Sequence, residues 1–171
     1  MNLPSVSALL DSLYVNTLQR ILDRHLTNPV LVGIHTGGAW IAAELHHRLA
    51  AAGVVSSPLG TLDISFYRDD FSRIGLNPKV QPSDLPETTE GRHVLLVDDV
   101  LMTGRTIRAA LNVLFEVGRP ASVSLITLVD LQAAELPIKA DITGIALKLP
   151  AHQRIKLTGP EPLNLALKTL G

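Results

Sequence analysis

Val94-Leu95-Leu96-Val97-Asp98-Asp99-Val100-Leu101-Met102-Thr103-Gly104-Arg105-Thr106 is the stretch that decides how this chain is read. Four apolar residues lead into two adjacent carboxylates, and a Thr-Gly-Arg-Thr turn and a helical pattern follow. The run predicts a buried strand ending in an acidic pair, then a loop whose backbone amides face an anion. Gly104 permits positive φ and close backbone approach. Thr103 and Thr106 add hydroxyls, and successive N–H groups opening a helix form an anion cradle. Alone, the Asp98-Asp99 pair reads more readily as a helix N-cap beside a solvated acid than as a ligand site. Acid pair and cradle together suit a ligand carrying hydroxyls and a phosphate, such as a phosphorylated ribose.

Outward from this run, strand and helix patterns alternate. Val6, Leu9, Leu10, Leu13, Leu18, Ile21 and Leu22 recur at spacings of three and four, predicting an amphipathic helix over 5–26 with Ser5 or Ser7 as N-cap. Val30 to Ile34 is a short continuous apolar run, as expected of a strand covered on both faces. Gly37-Gly38 breaks the chain before a helix over Ala39–Ala51, and Leu59–Phe66 predicts the next strand. Residues 67–91, with Pro78, Pro82 and Pro86, have the look of a functional loop. After Val94–Val97 come a helix over Thr106–Val117, a buried strand over Ser122–Val129, and short strands at Asp141–Leu147 and Ile155–Leu157. The expectation is one α/β domain spanning 1–171 with a mostly parallel sheet. Its ligand should sit beyond the carboxyl ends of the strands, at residues 35–38, 98–106 and 130–137.

Composition narrows the possibilities further. Aromatic residues are only 4% and hydrophobic residues 46%, so the core is built from Leu, Val, Ile and Ala. The formal charge of −1 gives no global field to attract nucleic acid, and an RNA site would have to be a local patch. The absence of cysteine excludes disulfides, thiolate catalysis and Cys-ligated zinc. Met1 to Leu10 lacks the pattern of a signal peptide, and no apolar run approaches the ~18 residues of a membrane span. A cytoplasmic protein with no membrane association is expected.

The Asp98–Thr106 run resembles the phosphoribosyl-pyrophosphate (PRPP) motif of type I phosphoribosyltransferases. Leu62-Asp63-Ile64, Tyr67-Arg68-Asp69-Asp70, Gly118-Arg119-Pro120 and Glu135-Leu136-Pro137-Ile138 extend the likeness to the pyrimidine-operon regulators of the PyrR family, over roughly residues 5–160. The resemblance implies the type I phosphoribosyltransferase fold, a mostly parallel central sheet flanked by helices with a small hood. It implies transfer of ribose 5-phosphate from PRPP to uracil, giving UMP and diphosphate. It further implies control of pyrimidine genes through pyr messenger RNA in response to UMP or UTP.

The resemblance also distributes roles. Asp98 and Asp99 would hold the ribose hydroxyls, directly or through Mg²⁺, and be catalytic with Arg68. Val100, Leu101, Met102, Thr103, Gly104, Arg105 and Thr106 would bind the 5′-phosphate segment of PRPP or UMP. Thr36, Gly37 and Gly38, beside His35, would form the pyrophosphate loop, with the Thr36–Gly37 peptide cis or strained. Tyr67, Arg68, Asp70 and Arg73 would belong to the lid over 67–91, with Lys79 as a further cation. Asp130, Leu131, Pro137 and Ile138 would form the base hood, which spans mainly 130–150 plus the N-terminal segment. A homodimer or tetramer is implied.

The chain departs from the family pattern in places. Where many members carry Arg-Gly-His-Arg in the hood, this sequence has Leu131-Gln132-Ala133-Ala134. His35 and Gly37 replace basic residues often found in the pyrophosphate loop, and no Lys or Arg precedes Arg20. Less positive charge weakens contacts to phosphates. Arg20, Arg24, Lys139, Lys148, Arg154 and Lys156 either gather in a groove or remain scattered solvated charges. The departures keep two other functions open: a UMP/UTP-sensing regulator with little catalysis, and a salvage transferase for another base.

Overall fold

The computed structural model describes residues 1–65, 83–85 and 88–171. The elements run α1 (Val6–Asp23), β1 (Val30–Ile34), α2 (Gly37–Ala51), β2 (Gly60–Leu62), β3 (His93–Leu101), α3 (Arg105–Glu116), β4 (Ser122–Asp130), β5 (Ile142–Ala146), β6 (Gln153–Thr158) and β7 (Asn164–Thr169). β1 to β5 form one parallel sheet in the order β2-β1-β3-β4-β5, and β6 and β7 form a separate antiparallel pair.

Strand alternation sends side chains into two cores. Leu95 and Val97 join α1, α2 and the β6–β7 hairpin on one face, while Val94 and Leu96 join α3 on the other. Both faces are covered, which explains why the strands read as continuous apolar runs. α1 buries Val6, Leu9, Leu10, Leu13 and Ile21, and Ser5 caps it, its hydroxyl accepting from the Ala8 N–H at 3.1 Å.

Several boundaries differ from the sequence reading. α1 stops at Asp23 rather than 26, where His25 turns to φ 52°. Gly37 and Gly38 do not break the chain but are the first residues of α2. Each stands where a Cβ would collide with β3: with Asp99 at Gly37, and with Val97 O at 2.6 Å at Gly38. The helix therefore begins earlier than its apolar periodicity because tight packing on β3 demands glycine. β2 is only three residues long, and Phe66 lies outside the described residues. β3 continues through Asp98 and Asp99 to Leu101, since Asp98 pairs with Thr127 and Val100 with Val129. The acids are part of the strand instead of following it.

Candidate phosphoribosyl site

The carboxyl ends of β1 and β3, neighbours in the sheet, each deliver the chain into a helix N-terminus. At the end of β1, His35 and Thr36 lead into α2. Thr36 has φ −102° and ψ −46°, and its side chain makes no capping bond. At the end of β3, Met102 and Thr103 lead to Gly104, whose φ of 92° is the left-handed conformation expected of this glycine, and α3 begins at Arg105. Neither first turn contains an acid. Two helix ends, neither with an acid of its own in the first turn, face the same end of the sheet. Each is suited to an anion.

The acid pair lies between them. Asp98 is buried, and its Oδ1 accepts from the Asp99 N–H at 2.9 Å. Asp99 is half-buried, and its Oδ1 accepts from the Val100 N–H at 2.9 Å. The alternation of a strand would point the two side chains apart, yet both reach the first turn of α2. Asp99 lies against Gly37, and Asp98 Oδ1 is 3.2 Å from the position a Cβ on Gly38 would take. The half-buried carboxylate of Asp99 suits a hydroxyl of a sugar.

In the segment expected to bind the 5′-phosphate, the Thr103 hydroxyl accepts from the Arg105 N–H at 3.2 Å and orients the loop. Leu101 is buried in the α3-side core and offers only its backbone, whereas Met102 is exposed. The Arg105 guanidinium pairs with Glu135 at 2.9 Å. Between β1 and α2 the cis peptide is His35–Thr36, one bond before the expected Thr36–Gly37.

The loop expected to form the base hood follows β4. Asp130 Oδ1 accepts from the Gln132 N–H at 2.8 Å, Leu131 is buried, and its N–H donates to Leu101 O at 2.9 Å. Pro137 is exposed, while Ile138 packs beside Gly104, 3.1 Å from where a Cβ there would stand. Gln132 adopts φ 53°, at the position where the family pattern has glycine. The lid residues Tyr67, Arg68, Asp70, Arg73 and Lys79 lie outside the described residues.

The phosphoribosyl transferase domain family matches residues 6–154. The chain is 53% identical over 170 residues to the bifunctional protein PyrR of Pseudomonas fluorescens, covering 99% of each, and 54% identical to that of Pseudomonas entomophila, covering 99% of this chain and 96% of the relative. The chain belongs to the PyrR family. Among solved structures, a hypoxanthine phosphoribosyltransferase of Staphylococcus aureus superposes with a TM-score of 0.64 at 23% identity, covering 84% of this chain and 75% of that one. A purine phosphoribosyltransferase of Pyrococcus horikoshii gives 0.62 at 19% identity, covering 82% and 84%. These two likenesses concern the fold, which is that of the type I phosphoribosyltransferases.

Two features of this PyrR-family chain escaped the sequence reading. One is the β6–β7 hairpin, although Arg154-Ile155-Lys156-Leu157-Thr158 alternates and a Gly159-Pro160-Glu161-Pro162 turn follows. The other is the attachment of Glu135 to the phosphate loop, which no local pattern announces. The candidate basic cluster does not form one group around α1. Arg20 is held by Ser124 and Asp141, and with Arg24 it lines a groove that also contains Asp23 and Asp141. Arg154 and Lys156 sit exposed on β6. No helix among the described residues is long and apolar enough to cross a membrane.

Proposed function

We propose that this protein transfers the phosphoribosyl group of PRPP to uracil, giving UMP and diphosphate, and regulates pyrimidine genes as a PyrR-family member. The observation that carries the proposal is the pair of helix N-termini flanking Asp98 and Asp99 at the ends of β1 and β3. PRPP has a phosphate on C5 and a diphosphate on C1, with two hydroxyls between. The amides opening α3 hold the 5′-phosphate, those opening α2 hold the diphosphate, and the carboxylates hold the hydroxyls. Diphosphate leaves C1 with oxocarbenium character as uracil N1 attacks and gives up its proton to the departing diphosphate or to solvent, so the protein need supply no nucleophile. Its contribution is to orient the reactants and stabilise departing negative charge with preorganised amides.

Mg²⁺ suits this donor set as a companion of PRPP. The described residues contain no cluster of three acidic, His or Cys side chains able to hold a metal alone. Two carboxylates beside a polyphosphate are the usual setting for Mg²⁺. When bound, the ion would neutralise charge on the leaving diphosphate. Asp98 and Asp99 would hold it through the sugar hydroxyls or through water.

UMP formation from uracil, PRPP and Mg²⁺ tests the reading. Turnover with uracil above that with hypoxanthine or guanine supports it, and no turnover at high enzyme sinks the enzymatic half. The regulatory half is proposed to act on pyr messenger RNA through a homodimer or tetramer. Binding of a pyr leader transcript at low salt, strengthened by UMP, and sedimentation of the purified protein check these two points.

A further inference from the structure

Loop 131–137 after β4 contains no strand or helix. Its first residue, Leu131, is buried and bonded to Leu101 O, but Gln132, Ala133, Ala134 and Glu135 are exposed. The Gln132 N–H donates to Asp130 Oδ1 at the end of β4 at 2.8 Å, and two further hydrogen bonds, both from Glu135, tie this middle part to the turn that opens α3. The Glu135 N–H donates to Thr103 O at 2.9 Å, and its Oε2 accepts from Arg105 Nη2 at 2.9 Å. Both partners belong to the phosphate segment. Arg105 in turn donates its own N–H to the Thr103 hydroxyl at 3.2 Å, so the turn that opens α3 also fastens the base-side loop.

An ion pair this exposed, at 36% and 58%, adds little to global stability. Its position gives it another effect. We propose that Arg105 and Glu135 are a positioning pair that holds loop 131–137 in register with the phosphate cradle, so that base binding depends on the pair while ribose-phosphate binding does not. The Arg105 side chain then acts through Glu135. Because Thr103 and Arg105 serve both loops, phosphate and base occupancy become linked, and such linkage is reciprocal. The proposal rests on the phosphoribosyl-site reading above and assigns the base to this loop.

The test is calorimetry of ribose 5-phosphate and of UMP on the full chain, for the unaltered protein and for Arg105→Ala, Glu135→Gln and the double variant. UMP affinity should fall about fivefold in each single variant, the lower end of typical coupling between sites. In Glu135→Gln, ribose 5-phosphate affinity should stay within about twofold, below the step a single lost bond to phosphate produces. The double variant should match the singles, since removing either partner already breaks the pair. Amide exchange at 132–135 should quicken in Glu135→Gln while β3 and β4 keep their protection. Arg105→Ala weakening ribose 5-phosphate as much as UMP would overturn the proposal, making the guanidinium a phosphate ligand. So would losses that multiply in the double variant, or UMP binding no tighter than ribose 5-phosphate in the unaltered protein. Unaltered protein that binds both ligands in the expected order but makes no UMP contradicts the transfer reading alone.

Discussion

Replacing Gly37 with alanine separates folding from ligand binding at this site. A methyl group on Gly37 would strike Asp99 Oδ2 and come within 2.7 Å of its Cγ and 3.0 Å of its Cβ. Carbon atoms pack at ~3.5–4.0 Å, so the Asp99 side chain must move. It can, being half-buried and held in place by the Val100 N–H. The helix gains up to about 1 kcal/mol from alanine over glycine, and losing the bond to Val100 costs about 1.5–3 kcal/mol. The net loss is about 0.5–3 kcal/mol, a fall in Tm of about 1–12 °C. Binding suffers more specifically. One lost carboxylate–hydroxyl bond is worth about 1.5–3 kcal/mol, or about 10- to 150-fold in affinity.

Gly38→Ala is the comparator. Its methyl group would lie 2.6 Å from Val97 O and 2.9 Å from Asp98 Cα, backbone atoms that cannot rotate away. Overpacking of this kind costs about 1–3 kcal/mol or more. The assays are calorimetry with ribose 5-phosphate and thermal melting by circular dichroism. Gly37→Ala should melt within about 12 °C of the unaltered protein and bind at least about tenfold more weakly, while Gly38→Ala should lose the larger share of its stability. Gly37→Ala that binds ribose 5-phosphate normally refutes the placement of Asp99 at the sugar.

Further substitutions probe the backbone and the core. Gly104→Ala puts a side chain at φ 92° and 3.1 Å from Ile138 Cβ, so it should cost about 1–3 kcal/mol and weaken ribose 5-phosphate binding, read by melting and calorimetry. Gln132→Gly relieves a left-handed residue and should leave Tm unchanged or raise it, by up to about 1 kcal/mol in stability on denaturant unfolding. Leu13→Ala, at a fully buried position of α1, should lose about 2–5 kcal/mol and about 4–20 °C of Tm. Titration of Mg²⁺ into ligand-free protein should give no saturable heat, whereas chelating Mg²⁺ should weaken PRPP binding; saturable Mg²⁺ binding without PRPP contradicts the shared-ligand account.

The central part of the fold was legible because local pattern and tertiary demand coincide there. Val30–Ile34 and Val94–Val97 are apolar on both sides, and a strand between two helical layers needs that. Asp98 to Thr106 was legible for a different reason: acid, glycine and hydroxyls at fixed spacing have a chemical use. The start of α2 was misread because Gly37 and Gly38 signal a break locally, while their reason is the approach of β3, distant in sequence. The continuation of β3 through Asp98 and Asp99 was hidden because ladder pairing with Thr127 and Val129 carries two acids along. Glu135 was read as part of a family motif, but its partner Arg105 lies 30 residues away and only the fold brings them together.

The most direct test of the account is calorimetric titration of ribose 5-phosphate into the purified chain and into Asp99→Asn, accompanied by melting of both. The account predicts saturable one-site binding to the unaltered protein and at least about tenfold weaker binding to Asp99→Asn, with the two melting within a few degrees. Equal binding by both proteins, or unfolding of Asp99→Asn, would contradict it, making the acid pair at the end of β3 a structural cap instead of the seat of a phosphorylated ribose.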